Sequence, residues 1–155
     1  MFVEAFIMFG MFFSDVLPVG SAAPDFEAKD QDGKSVSLAA LRGKNVVLVF
    51  YPMDETPGCT AQLCEMRDRW PDIQKKNTVV LGVNPGSAEK HRKFKENRNY
   101  QFPLLVDEKQ RIAKLYNSDG WFVPKRTVYL VGPDGKIKFA ERGSPTPQTV
   151  LRAAQ

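Results

Sequence analysis

Two sulfur atoms carry the chemistry that this sequence offers. Cys59 and Cys64 are its only cysteines, and both lie in Tyr51-Pro52-Met53-Asp54-Glu55-Thr56-Pro57-Gly58-Cys59-Thr60-Ala61-Gln62-Leu63-Cys64. The segment follows an apolar run, Val46 to Phe50, and Pro57-Gly58 breaks the chain just before Cys59, so Cys59 falls where a helix starts. A helix N-terminus presents unpaired N–H groups and partial positive charge, which favour thiolate over thiol. An ordinary thiol is ionised to only about 3% at neutral pH. Full ionisation therefore accelerates attack by roughly 30-fold, or about 2 kcal/mol. The rest of an efficient reaction must come from donors aimed at the atoms under attack, above all at the departing oxygen. The Thr56 hydroxyl, the N–H groups of Gly58 and Cys59, and a guanidinium from elsewhere are the candidates. Pro52 lacks an N–H and stiffens the loop, which shields a pocket from water.

The second sulfur adds a geometric condition. On an ideal helix, residues five apart have Cα atoms roughly 8–9 Å apart, whereas a disulfide needs about 4.4–6.8 Å. If Cys59 and Cys64 bond, the first turns of the helix must unwind, and reaction is coupled to a local fold–unfold switch. Spacing alone leaves Cys64 equally a buried helix residue. Taken singly, Thr56 and Pro52 are ordinary turn residues, and Arg126 is a solvated charge at a strand start.

The surrounding pattern alternates strands and helices. Asp25 to Leu38 reads as a hairpin around Asp32-Gly33. Val46 to Phe50 reads as a strand buried on both faces, and a helical stretch follows the Pro-Gly break to about Lys76. Thr78 to Val83 is a second buried strand. Ser87 caps the next helix, where Glu89–Lys93 and Arg92–Glu96 are i,i+4 pairs. A short strand, Pro103 to Val106, precedes a helix near Lys109 to Tyr116, and Arg126 to Val131 and Lys136 to Ala140 form a second hairpin. Thr146-Pro147 opens a final helix. These elements predict one α/β domain with a central mixed sheet flanked by helices and an N-terminal β-hairpin.

Composition narrows the function classes. The 155 residues are 43% hydrophobic and 26% charged with a net charge of +4, values of a globular chain. The excess is local. Lys75 to Arg98 holds seven basic residues (Lys75, Lys76, Lys90, Arg92, Lys93, Lys95 and Arg98) against Glu89 and Glu96, a balance of +5. Alternating charge of this kind marks a solvated helix face, and no aromatic-basic interleaving points to nucleic acid. Residues 1–18 form an apolar extension whose uninterrupted run is too short for a span. Its Glu4 and lack of a basic start argue against a secretory signal. It packs on the domain, on a partner or, less in keeping with the sequence, at a membrane surface. Two cysteines make no disulfide scaffold.

Pro52-x-x-x-Thr56-x-x-Cys59 resembles the active-site signature of the peroxiredoxins. Phe-Tyr-Pro-x-Asp-x-Thr-Pro-Gly-Cys-Thr with a second cysteine five residues on is similar to the bacterioferritin-comigratory (Q-type) subgroup. The resemblance runs from Val19-Gly20 through Ala23-Pro24-Asp25-Phe26, Asp32-Gly33, Phe102 to Asp107 and Arg126 to Val131, into the final helix. It implies a thioredoxin-like fold over 19–155 and thiol-dependent reduction of hydrogen peroxide and organic hydroperoxides. It makes Cys59 the peroxidatic and Cys64 the resolving cysteine, joined in an intramolecular disulfide that a thioredoxin-type dithiol reduces. Pro52 and Thr56 become pocket residues, and Arg126 the arginine that supports thiolate and peroxide. No cofactor or metal is implied, and the expectation is a monomer in the cytoplasm. Residues 1–18 have no counterpart in the pattern, and Pro124-Lys125 before Arg126 is unusual. The absence of a Gly-Gly-Leu-Gly loop and of a C-terminal Tyr-Phe helix predicts resistance to sulfinic acid formation.

Three rivals stand beside this reading. A copper-binding module of the same fold would use both cysteines and His91, the one histidine, which its charged helix predicts to be solvated. A thiol–disulfide exchange protein would ordinarily carry Cys-x-x-Cys, absent here. A non-catalytic binding domain would be indifferent to Cys59.

Overall fold

The computed structural model describes residues 16–155. Residues 1–15, most of the apolar extension, lie outside the described residues. Beyond them, Val16 and Leu17 pack against the core, and the Leu17 N–H donates to the Tyr129 hydroxyl at 3.0 Å.

The chain order is β1 (Glu27–Lys29), β2 (Ser35–Ser37), β3 (Asn45–Phe50), α1 (Pro57–Asp68), α2 (Trp70–Lys75), β4 (Thr78–Asn84), α3 (Ala88–Arg98), β5 (Leu104–Val106), α4 (Arg111–Leu115), β6 (Thr127–Val131), β7 (Ile137–Arg142) and α5 (Pro147–Leu151). The first two strands form the expected antiparallel hairpin as a sheet of their own. The main sheet has the order β5-β4-β3-β6-β7, with β3, β4 and β5 parallel and β6 and β7 antiparallel to their neighbours.

All six residues of β3 are buried because the strand is central and covered on both faces. Its side chains alternate. Val46, Leu48 and Phe50 join Phe26, Ile112, Tyr116 and Tyr129 on one face, while Val47, Val49 and Tyr51 join Cys59, Leu63, Met66, Phe94 and Tyr100 on the other. Helices α1, α2, α3 and α5 cover the second face, and the hairpin and α4 cover the first.

Local departures from the sequence reading have physical causes. The helical stretch to Lys76 is two helices, broken at Arg69. Pro71 has no N–H for the Arg67 carbonyl, which accepts from Gln101 Nε2 at 3.1 Å instead. The helix expected from Lys109 starts at Arg111, because Lys109 and Gln110 take left-handed φ values of 54° and 57°. The Asp107 carboxylate then caps it, accepting from the N–H groups of Ile112 and Ala113 at 2.7 and 3.0 Å. In α3 the Ser87 cap and the Glu89–Lys93 pair form as expected, at 3.2 and 3.5 Å. Arg92 reaches back to the hairpin rather than to Glu96, lying 3.7 Å from Asp32 and donating to the Gln31 carbonyl at 3.2 Å. The exposed residues of α3 confirm its solvated face, with one correction. His91 is fully buried, on the same inward side as Phe94.

Candidate active site

Thr56 is the N-cap of α1, Pro57 its first residue, and Cys59 its third. The first intrahelical bond runs from Thr60 N–H to the Thr56 carbonyl at 2.8 Å. The Gly58 and Cys59 N–H groups thus lie in the first turn, where no helical carbonyl can reach them. Cys59 is fully buried, and its Sγ accepts from Arg126 Nη2 at 3.2 Å. Arg126 Nη1 donates to Gln62 Oε1 at 2.7 Å, so the guanidinium bridges two positions of one helix face. Strand register delivers it. Phe50 pairs with Thr127 across β3 and β6, which sets Arg126 opposite the loop that leaves β3. Gly58 leaves room for it, since a Cβ there would lie 3.3 Å from Nη2.

The other loop residues have defined partners. The Thr56 hydroxyl donates to the Met53 carbonyl at 2.9 Å, so what it offers the pocket is an acceptor lone pair rather than the donor read from sequence. Pro52 is half-buried, and its carbonyl accepts from Asn84 Nδ2 at 2.9 Å. Cys59 and Cys64 are both free thiols, on the same helix.

Cys64 is half-buried, with Sγ 3.6 Å from the Tyr100 hydroxyl, which donates to the Thr60 carbonyl at 3.4 Å. Burial and the contact with Cys64 push the Tyr100 phenol far above its ordinary pKa, so it stays protonated. A chain of donors therefore runs from the Cys64 thiol through Tyr100 to the first turn of α1. Tyr100 itself stacks on Phe102 at 5.1 Å.

The structure places Cys59, Arg126 and Thr56 together at the start of α1, with Cys64 on the same helix and Pro52 in the loop before it, and adds Gln62 and Tyr100, which the sequence reading did not single out. Gln62 was findable, lying one helical turn from Cys59 on the same face. Tyr100 carries no such signal. The copper reading loses its third ligand. Both ring nitrogens of His91 face oxygen atoms, of Asp54 on one side and of Asn84 and Leu105 on the other. Among the described residues no cluster of three or more His, Cys, Asp or Glu could hold a metal ion.

Comparison with known proteins matches residues 19–140 to the AhpC/TSA family. Peroxiredoxin Bcp of Bacillus subtilis is 38% identical over 131 residues, covering 78% of this chain and 82% of that one. Against the chloroplastic peroxiredoxin Q relatives of rice and wheat, the chain spans 57% of their length. Among solved structures, peroxidoxin BcpB of Mycobacterium tuberculosis superposes with a TM-score of 0.83 at 28% identity, over 88% of this chain and 96% of that one. The bacterioferritin comigratory protein of Xanthomonas campestris, described by its alkyl peroxide reduction activity, gives 0.78 at 26% identity, over 89% and 95%.

Proposed function

Because the chain belongs to the AhpC/TSA family, with Bcp and Q-type peroxiredoxins among its relatives, we propose that it is a thiol-dependent peroxidase acting through Cys59 and Cys64. Hydrogen peroxide and organic hydroperoxides are its substrates. The observation that carries this reading is the Arg126 guanidinium on Cys59 Sγ at a helix N-terminus, with the second cysteine on the same helix.

The cycle balances as follows. The Cys59 thiolate takes the terminal oxygen of the substrate, with its hydrogen, as the O–O bond breaks, and the other oxygen leaves as hydroxide or alkoxide and takes a proton from solvent to become water or alcohol. Cys59 becomes a sulfenic acid. The first turns of α1 unwind, the Cys64 sulfur displaces the hydroxyl as water, and an S–S bond forms. A thioredoxin-type dithiol returns two electrons by exchange. Arg126 and the first-turn N–H groups are the donors for the departing oxygen, and the Thr56 hydroxyl oxygen accepts a hydrogen bond from the hydroperoxide O–H. Resolution within one chain needs no second copy, which supports a monomer. A reducing cytoplasm would supply the dithiol. No helix among the described residues is long and apolar enough to cross a membrane.

The test is turnover coupled to thioredoxin and its reductase. Wild type is expected to turn over continuously, whereas Cys64→Ser consumes about one equivalent of peroxide and stops. Sustained wild-type turnover in that variant would reject Cys64 as the resolving residue. A second prediction concerns Tyr100. Tyr100→Phe keeps the ring stacking but removes the hydroxyl that joins Cys64 to the first turn of α1. One hydrogen bond is worth about 0.5–1.5 kcal/mol, so disulfide formation should accelerate by roughly two- to tenfold. Rapid quenching with a thiol-blocking reagent measures it. An unchanged or slower resolving step would show that Tyr100 does not restrain unwinding.

A further inference from the structure

The cycle leaves one buried pair unused. His91 and Asp54 have side-chain exposures of 0% and 7%, and Nδ1 lies 2.6 Å from Oδ2. Nε2 lies 3.0 Å from the Asn84 carbonyl oxygen and 3.1 Å from that of Leu105. Carbonyl oxygens only accept, so Nε2 carries a hydrogen, and Nδ1 and the carboxylate hold the next one between them. The other carboxylate oxygen accepts from the Tyr51 hydroxyl at 2.7 Å. Burial and that carboxylate hold the Tyr51 phenol well above its ordinary pKa, so it remains a donor.

Further bonds fasten the same stretch of chain. Asn84 Nδ2 donates to the carbonyls of Tyr51 and Pro52 at 2.8 and 2.9 Å, and its Oδ1 accepts from Gly86 N–H at 2.7 Å. Gly86 admits the ring, because a Cβ there would lie 2.9 Å from Asn84 Oδ1 and 3.2 Å from His91 Cε1. The fastening extends to Glu55, whose carboxylate accepts from Asn97 Nδ2 at 3.1 Å and lies 3.5 Å from Arg98 Nη2. Glu55 takes a left-handed φ of 63°, a strained conformation for a residue with a side chain, and α1 begins two residues later. Strain is therefore concentrated where the fixed loop meets the helix that must unwind.

We propose that the Asp54–His91 pair is a positioning device that anchors residues 51–54 to β4, β5 and α3. Unwinding toward the disulfide then starts beyond Glu55 and leaves Pro52 and Asp54 in place. This rests on the Cys59–Cys64 disulfide proposed above. A buried pair suits the task because opening it strands a charge or a donor inside the protein, so it resists separation more than loop backbone bonds do. Residues 51–54 then keep the same place through the cycle, and the reduced helix re-forms against a fixed end.

Because the chain has a single histidine, NMR of the ring N–H groups reports on this pair without assignment ambiguity. The disulfide form is made with one equivalent of hydrogen peroxide and its loss of two hydrogens confirmed by mass. The Nδ1–H resonance is expected in both reduced and disulfide forms, protected from exchange, while the amides of residues 56–64 shift. Loss of that resonance on disulfide formation would overturn the anchor. If the mass shows no disulfide, the underlying reading fails and the proposal falls with it. In a Cys64→Ser background, Asp54→Asn should lose the resonance and slow the single-turnover reaction of Cys59 with peroxide about tenfold, through misplacement of the loop. A wild-type rate in that variant would also overturn the anchor. If the variant does not fold, the comparison of the two wild-type forms decides.

Discussion

Cys59→Ser is expected to consume hydroperoxide at no more than about a thousandth of the wild-type rate. The hydroxyl that replaces the thiol has no anion available near neutral pH, and oxygen cannot be carried through the sulfenic and disulfide states. The change is small in packing terms. Cys59 sits fully buried among Val47, Val49 and Leu63, and a serine oxygen can still accept from Arg126 Nη2. The melting temperature should therefore move little while activity disappears. Peroxide consumption and thermal melting of the same preparation separate the two effects. More than a tenth of wild-type activity in this variant would remove Cys59 from the chemistry.

The second large effect is expected at Arg126. Arg126→Met removes the donor on Cys59 Sγ and the partner of Gln62 Oε1 together. Loss of one preorganised donor to a developing oxyanion commonly costs 10²–10³-fold, and a loss of about a hundredfold or more in the rate of Cys59 oxidation is expected here. Arg126→Lys tests the geometry rather than the charge. An ammonium is a point donor and lacks the planar fork that serves Gln62 and Cys59 at once, so about a tenfold loss is expected to remain. Stopped-flow oxidation of the reduced variants by hydrogen peroxide measures both. Equal rates for Lys and Arg would mean that charge alone matters, and a wild-type rate for Arg126→Met would assign the guanidinium a structural part.

Much of the framework was legible because local signals and tertiary packing agree. The apolar, valine-rich run Val46 to Phe50 lies in the covered central strand, Asp32-Gly33 lies in the hairpin turn, and Ser87 and Thr146 cap their helices through their side-chain oxygens. The position of Cys59 at a helix start followed from Pro57-Gly58 in the same way. What stayed hidden depends on strand pairing and burial. Arg126 lies 67 residues from Cys59, and only the β3–β6 register brings them together. Without the family resemblance its number alone pointed to a solvated charge. His91 stands among basic residues, yet it shares the inward side of α3 with Phe94, and its burial depends on the Asp54 carboxylate reaching in from another loop. The break at Arg69 hinged on which neighbour takes the carbonyl that Pro71 cannot serve.

The framework and the two cysteines meet in one requirement. On the proposed cycle, a buried thiol reacts in an intact helix and then leaves it. The Arg126 guanidinium on Cys59 and Gln62 and the Tyr100 hydroxyl on Thr60 and Cys64 fasten overlapping parts of the segment that opens, and Thr56 marks where the helix begins. Reaction and release are thus balanced by a few hydrogen bonds, each of a size that a single substitution can shift.

The Cys59–Cys64 cycle is tested by the intact mass of the reduced protein after one equivalent of hydrogen peroxide, followed by peptide mapping. Loss of two hydrogens with Cys59 and Cys64 joined in one peptide, and an oxidised, trappable Cys59 in Cys64→Ser, is the predicted result. An unchanged mass within seconds of mixing, or a disulfide joining two chains, would contradict it.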